Sequence, residues 1–73
     1  MQLVRTKFKQ KRIAKGLSQQ GLAKQLNCAG SYISKVEKGL KDPSQKWWDK
    51  VKNLWDIPDE EIESYRKKVP IEK

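Results

Sequence analysis

The sequence predicts an all-α domain of five short helices, and three observations carry that prediction. Turn-forming residues fall at Gly16, Asn27, Lys38-Gly39, Asp42-Pro43, Asp56-Ile57-Pro58 and Pro70, and they divide the 73 residues into five segments of helical length. Within these segments apolar residues recur at helical spacing. No segment shows sustained alternation rich in β-branched residues, so no sheet is expected. The length fits a single domain over residues 1–73, with a core at about 5–68 and a C-terminal tail at 69–73.

The first helix runs from about Arg5 to Lys15, with Phe8 and Ile13 facing inward beside Leu3 or Val4, and Gly16 suits the position just past its end. The second begins at Ser18, whose hydroxyl can accept a bond from a free backbone N–H. Its apolar face is Leu22, Ala23 and Leu26, and Gly21 within it implies close packing. The third runs from Ala29 or Gly30 to Lys38, with Ile33 and Val36 inward and Gly39 ending it. The fourth follows Asp42-Pro43, with Ser44 as N-cap. It turns Trp48, Val51 and Trp55 inward with Leu54 beside them, while Trp47 lies off that stripe, partly exposed. The fifth starts at Pro58 or Asp59. Asp59, Glu60 and Glu61 open it and Arg66, Lys67 and Lys68 close it, which complements the helix dipole at both ends. Ile62 packs inward with Tyr65 or Val69, and Pro70 stops the helix.

Composition narrows the function. The single cysteine, Cys28, allows no disulfide within the chain, and without histidine there is no cysteine–histidine zinc site, so neither a structural metal nor a cofactor is expected. Cys28 reads as a small buried hydrophobe in a turn. The core must then be apolar, with three Trp, two Tyr and one Phe supplying much of its bulk. No apolar run approaches a membrane span, and MQLVRTKFK alternates basic and apolar residues too briefly for a targeting peptide. Together with the cysteine usage, this gives a cytoplasmic expectation. No Gly-rich phosphate loop and no nucleophile–base pair is present, so an enzyme is not expected.

Charge is more informative. Residues 1–41 hold ten Lys or Arg against one acid, Glu37, whereas residues 42–73 hold seven basic and eight acidic residues. Such asymmetry suits a polyanion-binding face on a neutral supporting half, or a solubilising surface.

The stretch QQGLAKQLNCAGSYISKVEK, residues 19–38, meets the needs of two short helices crossing steeply. Ala23 is the small residue at the crossing. Asn27 tolerates the left-handed backbone of the turn. Leu22, Leu26, Cys28, Ile33 and Val36 clamp the second helix of the pair. The remaining face, Gly30, Ser31, Ser34, Lys35 and Lys38, is small, polar and basic, as a helix lying in a DNA major groove requires. Tyr32, turned sideways, is placed to stack on sugar or bond a phosphate. Glu37 reads as the partner of Arg12, because an unpaired carboxylate there would oppose phosphate binding.

Arg12, Leu17-Ser18-Gln19, Leu22-Ala23, Leu26, Ser31, Ile33-Ser34, Glu37, Gly39, Pro43-Ser44, Trp55, Ile57 and Ile62 stand in the order found in a known family. Over about residues 5–65 the chain resembles the phage lambda repressor-like domains, the Cro and repressor-type helix-turn-helix family that includes xenobiotic-response-element regulators. The resemblance implies that Gln19, with Ser18 beside it, bonds a phosphate and that Gln19 can brace the recognition helix. It implies that Gly30, Ser31, Ser34 and Lys35 reach base edges and that Lys38 and Lys41 grip the backbone. It also implies a salt bridge between Arg12 and Glu37. The chain departs from the family at Gly21, at Asn27, at Trp48 and Trp55, and above all at Ala29-Gly30. There the usual polar cap and one polar base-reading side chain are missing, and Ser31, Ser34 and above all Lys35 are left to carry recognition.

These readings imply a sequence-specific transcriptional regulator of double-stranded DNA, a repressor of phage or bacterial type acting as a homodimer on a two-fold operator. No small-molecule ligand is expected. The alternative is an antitoxin or co-regulator module that binds a protein partner through Trp47, the acidic start of the fifth helix and the C-terminal tail.

Overall fold

The computed structural model describes residues 2–71. Five helices follow in order: α1 (Thr6–Ala14), α2 (Gln19–Gln25), α3 (Gly30–Glu37), α4 (Gln45–Trp55) and α5 (Asp59–Arg66). They are bracketed by two short strands, β1 (Leu3–Val4) and β2 (Val69–Pro70), paired antiparallel with Leu3 opposite Pro70 and Val4 opposite Val69. The architecture is the all-α one, with this small clip added.

Helices α1 to α4 end in the same way. One or two residues past each, the backbone is left-handed, at Gly16 (φ 73°), Asn27 (φ 59°), Gly39 (φ 76°) and Asp56 (φ 51°). That residue's N–H and the next one's then fold back onto carbonyls of the last turn. Gly16 and Leu17 donate to Ile13 and Arg12, Asn27 and Cys28 to Lys24 and Ala23, Gly39 and Leu40 to Val36 and Lys35, and Asp56 and Ile57 to Asn53 and Lys52. These bonds satisfy orphan carbonyls and reverse the chain within a few residues. The residue following each left-handed position is apolar, which suits this geometry.

The core is Phe8, Leu22, Ala23, Leu26, Ile33, Val36, Trp48, Val51, Trp55, Ile62 and Tyr65. Phe8 lies at its centre, with ring centroids of Trp48, Trp55 and Trp47 at 5.3, 5.6 and 6.0 Å. Large aromatic side chains let few residues fill the interior of a small domain.

Several expectations need correction. Ile13 does not face the core; it is 57% exposed. The inward stripe of α1 and the residue before it is Arg5, Phe8 and Arg12, at i, i+3 and i+7, and both arginines are buried. Ile13 lies about 100° round the helix from Arg12. Leu54 flanks the α4 stripe and is exposed. Ser44 occupies the N-cap position, but its side chain makes no capping bond, whereas the Ser18 hydroxyl accepts the Gly21 N–H at 2.9 Å. A Cβ at Gly21 would approach the Ser18 oxygen to 3.2 Å, a tight contact. Helix α5 ends at Arg66, not at Pro70, so Lys67 and Lys68 lie beyond its last turn.

The strand pair overturns the expectation of no sheet. Val69 and Pro70, read as tail, form β2, and the Ile71 N–H donates to the Gln2 carbonyl at 3.1 Å. The last two residues of the expected tail, 72 and 73, lie outside the described residues. A two-residue strand is too short to show any alternation, and its partner is far away in sequence.

Arg5 ties the clip to the helices. Its guanidinium donates to the carbonyls of Val36, Lys41 and Arg66 and to the Asp42 carboxylate, at 2.8–3.0 Å, and lies 5.5 Å from the Trp48 ring centroid. Arg5 and, beside it, Lys68 hold the exposed Asp42 carboxyl below the usual carboxylate range. Tyr65 donates its hydroxyl to Glu61, which also pairs with Lys11 at 3.2 Å.

Two predictions follow from these turns and bonds. Gly16 and Gly39 share a left-handed backbone, but a Cβ at Gly16 meets nothing within 4 Å, whereas one at Gly39 would stand 2.0 Å from the Leu3 carbonyl oxygen. Gly16→Ala should therefore cost about 1–2 kcal/mol in urea denaturation, the conformational term alone. Gly39→Ala should cost clearly more, because β1 must also move; equal losses would exclude this close approach. Burial and the Glu61 partner push the Tyr65 pKa from 10.0 up to about 12. The phenol is thus favoured neutral in the folded protein, and its contribution is complete below pH 10.0 and lost as pH rises to about 12. Melting curves of wild type and Tyr65→Phe should converge across that window, the difference being largest below it.

Candidate nucleic-acid interface

The pair α2–α3 is built by the crossing predicted from the sequence. Ala23 is buried where the helices meet, and its carbonyl accepts the Cys28 N–H at 2.8 Å across the Asn27 turn. Cys28 is half-buried, and desolvation raises its thiol pKa above the ordinary value, so the thiol is not activated. Ile33 and Val36 are fully buried against this scaffold. They leave one side of α3 on the surface.

That side carries Ser31, Lys35 and Lys38, all exposed, and Ser34, half-buried. Lys41 is exposed in the loop that follows, while its carbonyl accepts from Arg5. Gly30 stands apart. It is turned toward α2, and a Cβ there would lie 3.0 Å from the Gln20 Cγ. Position 30 is therefore a helix-packing position with no side chain to offer. Tyr32 is half-buried, with its ring edge-on to Trp47 at 5.9 Å between centroids, so its body belongs to the fringe of the core. Ser18 is exposed at the N-terminus of α2, its oxygen engaged by the Gly21 N–H.

Glu37 fixes the orientation of α3. Its carboxylate is 5% exposed as a residue and accepts from Arg12 Nε at 2.6 Å, from the second Arg12 nitrogen at 3.4 Å, and from Gln19 Nε2 at 3.1 Å. Arg12 also donates to the Leu17 carbonyl at 2.7 Å. One carboxylate thereby joins α1, the first residue of α2 and the last residue of α3. The Glu37 carbonyl accepts the Arg5 N–H at 2.8 Å, so the end of α3 is also bonded to the segment that leads out of β1.

The electrostatics follow. The lone acid of residues 1–41 is neutralised in the interior, so its charge does not oppose an anion on the α3 face. Two of the ten basic residues of that segment, Arg5 and Arg12, are buried and structural. Lys35, Lys38 and Lys41 remain exposed along α3 and the loop after it. A cleft of about 320 Å³ opens between β1, α1 and α3, lined by Thr6, Lys9, Gln19, Ser34 and Lys38 among others. Among the described residues no cluster of three side chains could hold a metal ion, and no helix is long and apolar enough to cross a membrane.

Sequence reasoning missed Arg5, which it grouped with the surface charges, and the packing of Gly30 on Gln20. Arg5 could have been found from helical spacing, since it falls three residues before Phe8. No local signal marks the Gly30 contact.

A family model described as helix-turn-helix matches residues 8–46, more than half of the chain. No curated protein and no solved structure matches it.

The buried pair yields a prediction. Removing one partner leaves a buried charge uncompensated, so Glu37→Ala and Arg12→Ala should each destabilise by about 3–5 kcal/mol in urea denaturation. The double variant should lose much less than the sum; additive losses would show that the two side chains are not coupled.

Proposed function

This chain belongs to the lambda repressor-like helix-turn-helix family of sequence-specific DNA-binding regulators, and we propose that it acts as a repressor of phage or bacterial type on a two-fold operator. The observation that carries this reading is the presentation of α3. Its C-terminal end is bonded to α1 and α2 through Glu37, its apolar side is buried, and its outer side offers Ser31, Ser34, Lys35 and Lys38 with no exposed acid. A rigidly held helix with that outer face suits the major groove.

Lys35 is the principal base-reading residue, with guanine O6 and N7 as the preferred acceptors. Ser31 and Ser34 contact base or phosphate with little base preference. Lys38 and Lys41 grip the phosphate backbone, as do Ser18, Gln19 and, through its hydroxyl, Tyr32. One N–H of the Gln19 carboxamide braces Glu37, which leaves the second N–H as the donor for a phosphate oxygen. Gly30 contributes only backbone to this surface. A homodimer would present two recognition helices about one DNA turn apart, and repression follows from blocking polymerase. The partner-module reading has less support, because Trp47 packs edge-to-face with Phe8, Trp48 and Tyr32, and Val69-Pro70 pairs with β1.

Selection from a random duplex pool at two salt concentrations tests the proposal. A two-fold motif with half-sites about 10 base pairs apart should be recovered. Lys35→Ala should relax the motif at one position in each half-site, by about 1–3 kcal/mol of discrimination or somewhat less for a single amine. Lys41→Ala should weaken all sequences alike and reduce the salt slope by about 1 per protomer. Recovery of sequence-blind, salt-sensitive binding alone would overturn specific regulation by this chain.

A further inference from the structure

We propose that Gln20, a residue of α2, reads the base pair faced by the first turn of α3, in place of the side chain that position 30 lacks; this rests on the DNA-binding reading above. The first turn of a recognition helix is where base-reading side chains are concentrated. Here that turn offers Ala29, Gly30 and Ser31, and the Ala29 cap makes no side-chain bond. A glycine at position 30 would ordinarily leave a gap at one base pair.

The gap is occupied from the neighbouring helix. The position that a Cβ of residue 30 would take lies 3.0 Å from Gln20 Cγ, 3.5 Å from its Cα and 3.6 Å from its backbone nitrogen. The stem of Gln20 thus runs alongside Gly30 at contact distance. Its carboxamide is carried on that Cγ, next to the point where a side chain at position 30 would start. A Cβ at position 30 would require the Gln20 side chain to give by a few tenths of an ångström, so the two positions compete for one space.

Gln20 is also the available member of a glutamine pair. The Gln19 nitrogen is bonded to Glu37. Gln20 is exposed, and no hydrogen bond among the described residues holds its carboxamide. A carboxamide presents one acceptor and two donors, which matches N6 and N7 of adenine in the major groove. The assigned contact is therefore an adenine on the strand facing α2, one per half-site, adjacent to the pair read by the rest of α3.

Random-duplex selection with wild type and Gln20→Ala separates the outcomes. Position 20 is exposed, so the variant should fold, as a circular dichroism melt would verify. The expected result is a wild-type motif with a required adenine and a Gln20→Ala motif that is degenerate at that pair alone. Measured affinities should show the adenine preference falling by about 5- to 100-fold, with binding to sites already substituted at that pair unchanged. Uniform weakening on every sequence would mean a phosphate contact and would overturn the assignment. An unaltered motif would overturn it too, while leaving the operator-binding reading intact. If wild type itself recovers no motif, both readings fall together.

Discussion

The Glu37 carboxylate is the point at which this fold is assembled. A buried carboxylate is tolerable only when charge and hydrogen bonds replace the water it loses. Glu37 receives them from α1 through Arg12 and from α2 through Gln19. The angle of α3 is therefore set by a directional, charge-assisted contact at one end and by Ile33 and Val36 along its length. Apolar packing alone tolerates small rotations of a helix about its axis; a fork of guanidinium and carboxamide on one carboxylate does not. Fixing the rotation of α3, and with it the direction of its outer face, is what the buried charge contributes.

Arg5 plays a second, complementary part. With Arg12 it gives α1 an inner stripe that is largely charged, and both guanidinium groups point toward the end of α3. Arg5 collects carbonyls from the last turn of α3, from the following loop and from the end of α5. The Val36 and Arg66 carbonyls lie at helix C-termini, where the dipoles leave partial negative charge, so a cation is well matched there. The first half of the chain therefore carries less surface charge than its composition suggests. What remains is the lysines, several of them beside α3.

How much of this was legible in the sequence differs by element. Helix ends were readable because Gly16, Asn27 and Gly39 are residue types that accept a left-handed backbone, a local property. The core stripe of α4 was readable because Trp48, Val51 and Trp55 keep strict helical spacing. The inner face of α1 was not, because arginine at an inward position looks like a surface charge until its distant partners are known. The β1–β2 clip was invisible for a related reason: two residues carry no period, and the pairing joins opposite ends of the chain. Of the candidate site, the exposure of Ser31, Lys35 and Lys38 followed from helical geometry once Ile33 and Val36 were assigned inward. The contact of Gly30 with Gln20 depends on how closely two helices approach, which no single helix pattern encodes.

The clip also brings the two ends of the described chain side by side. Gln2 accepts from Ile71 through its carbonyl and donates through its side chain to the Lys38 carbonyl, at the end of α3. Backbone bonds between residues 2–4 and 69–71 thereby close the described chain into a ring around the helices. Gln2 and Ile71 thus both lie beside the C-terminal end of α3. A change of bulk or charge at Gln2 or Ile71 is therefore not remote from the helices: it would bear on the end of α3 that Glu37 holds in place.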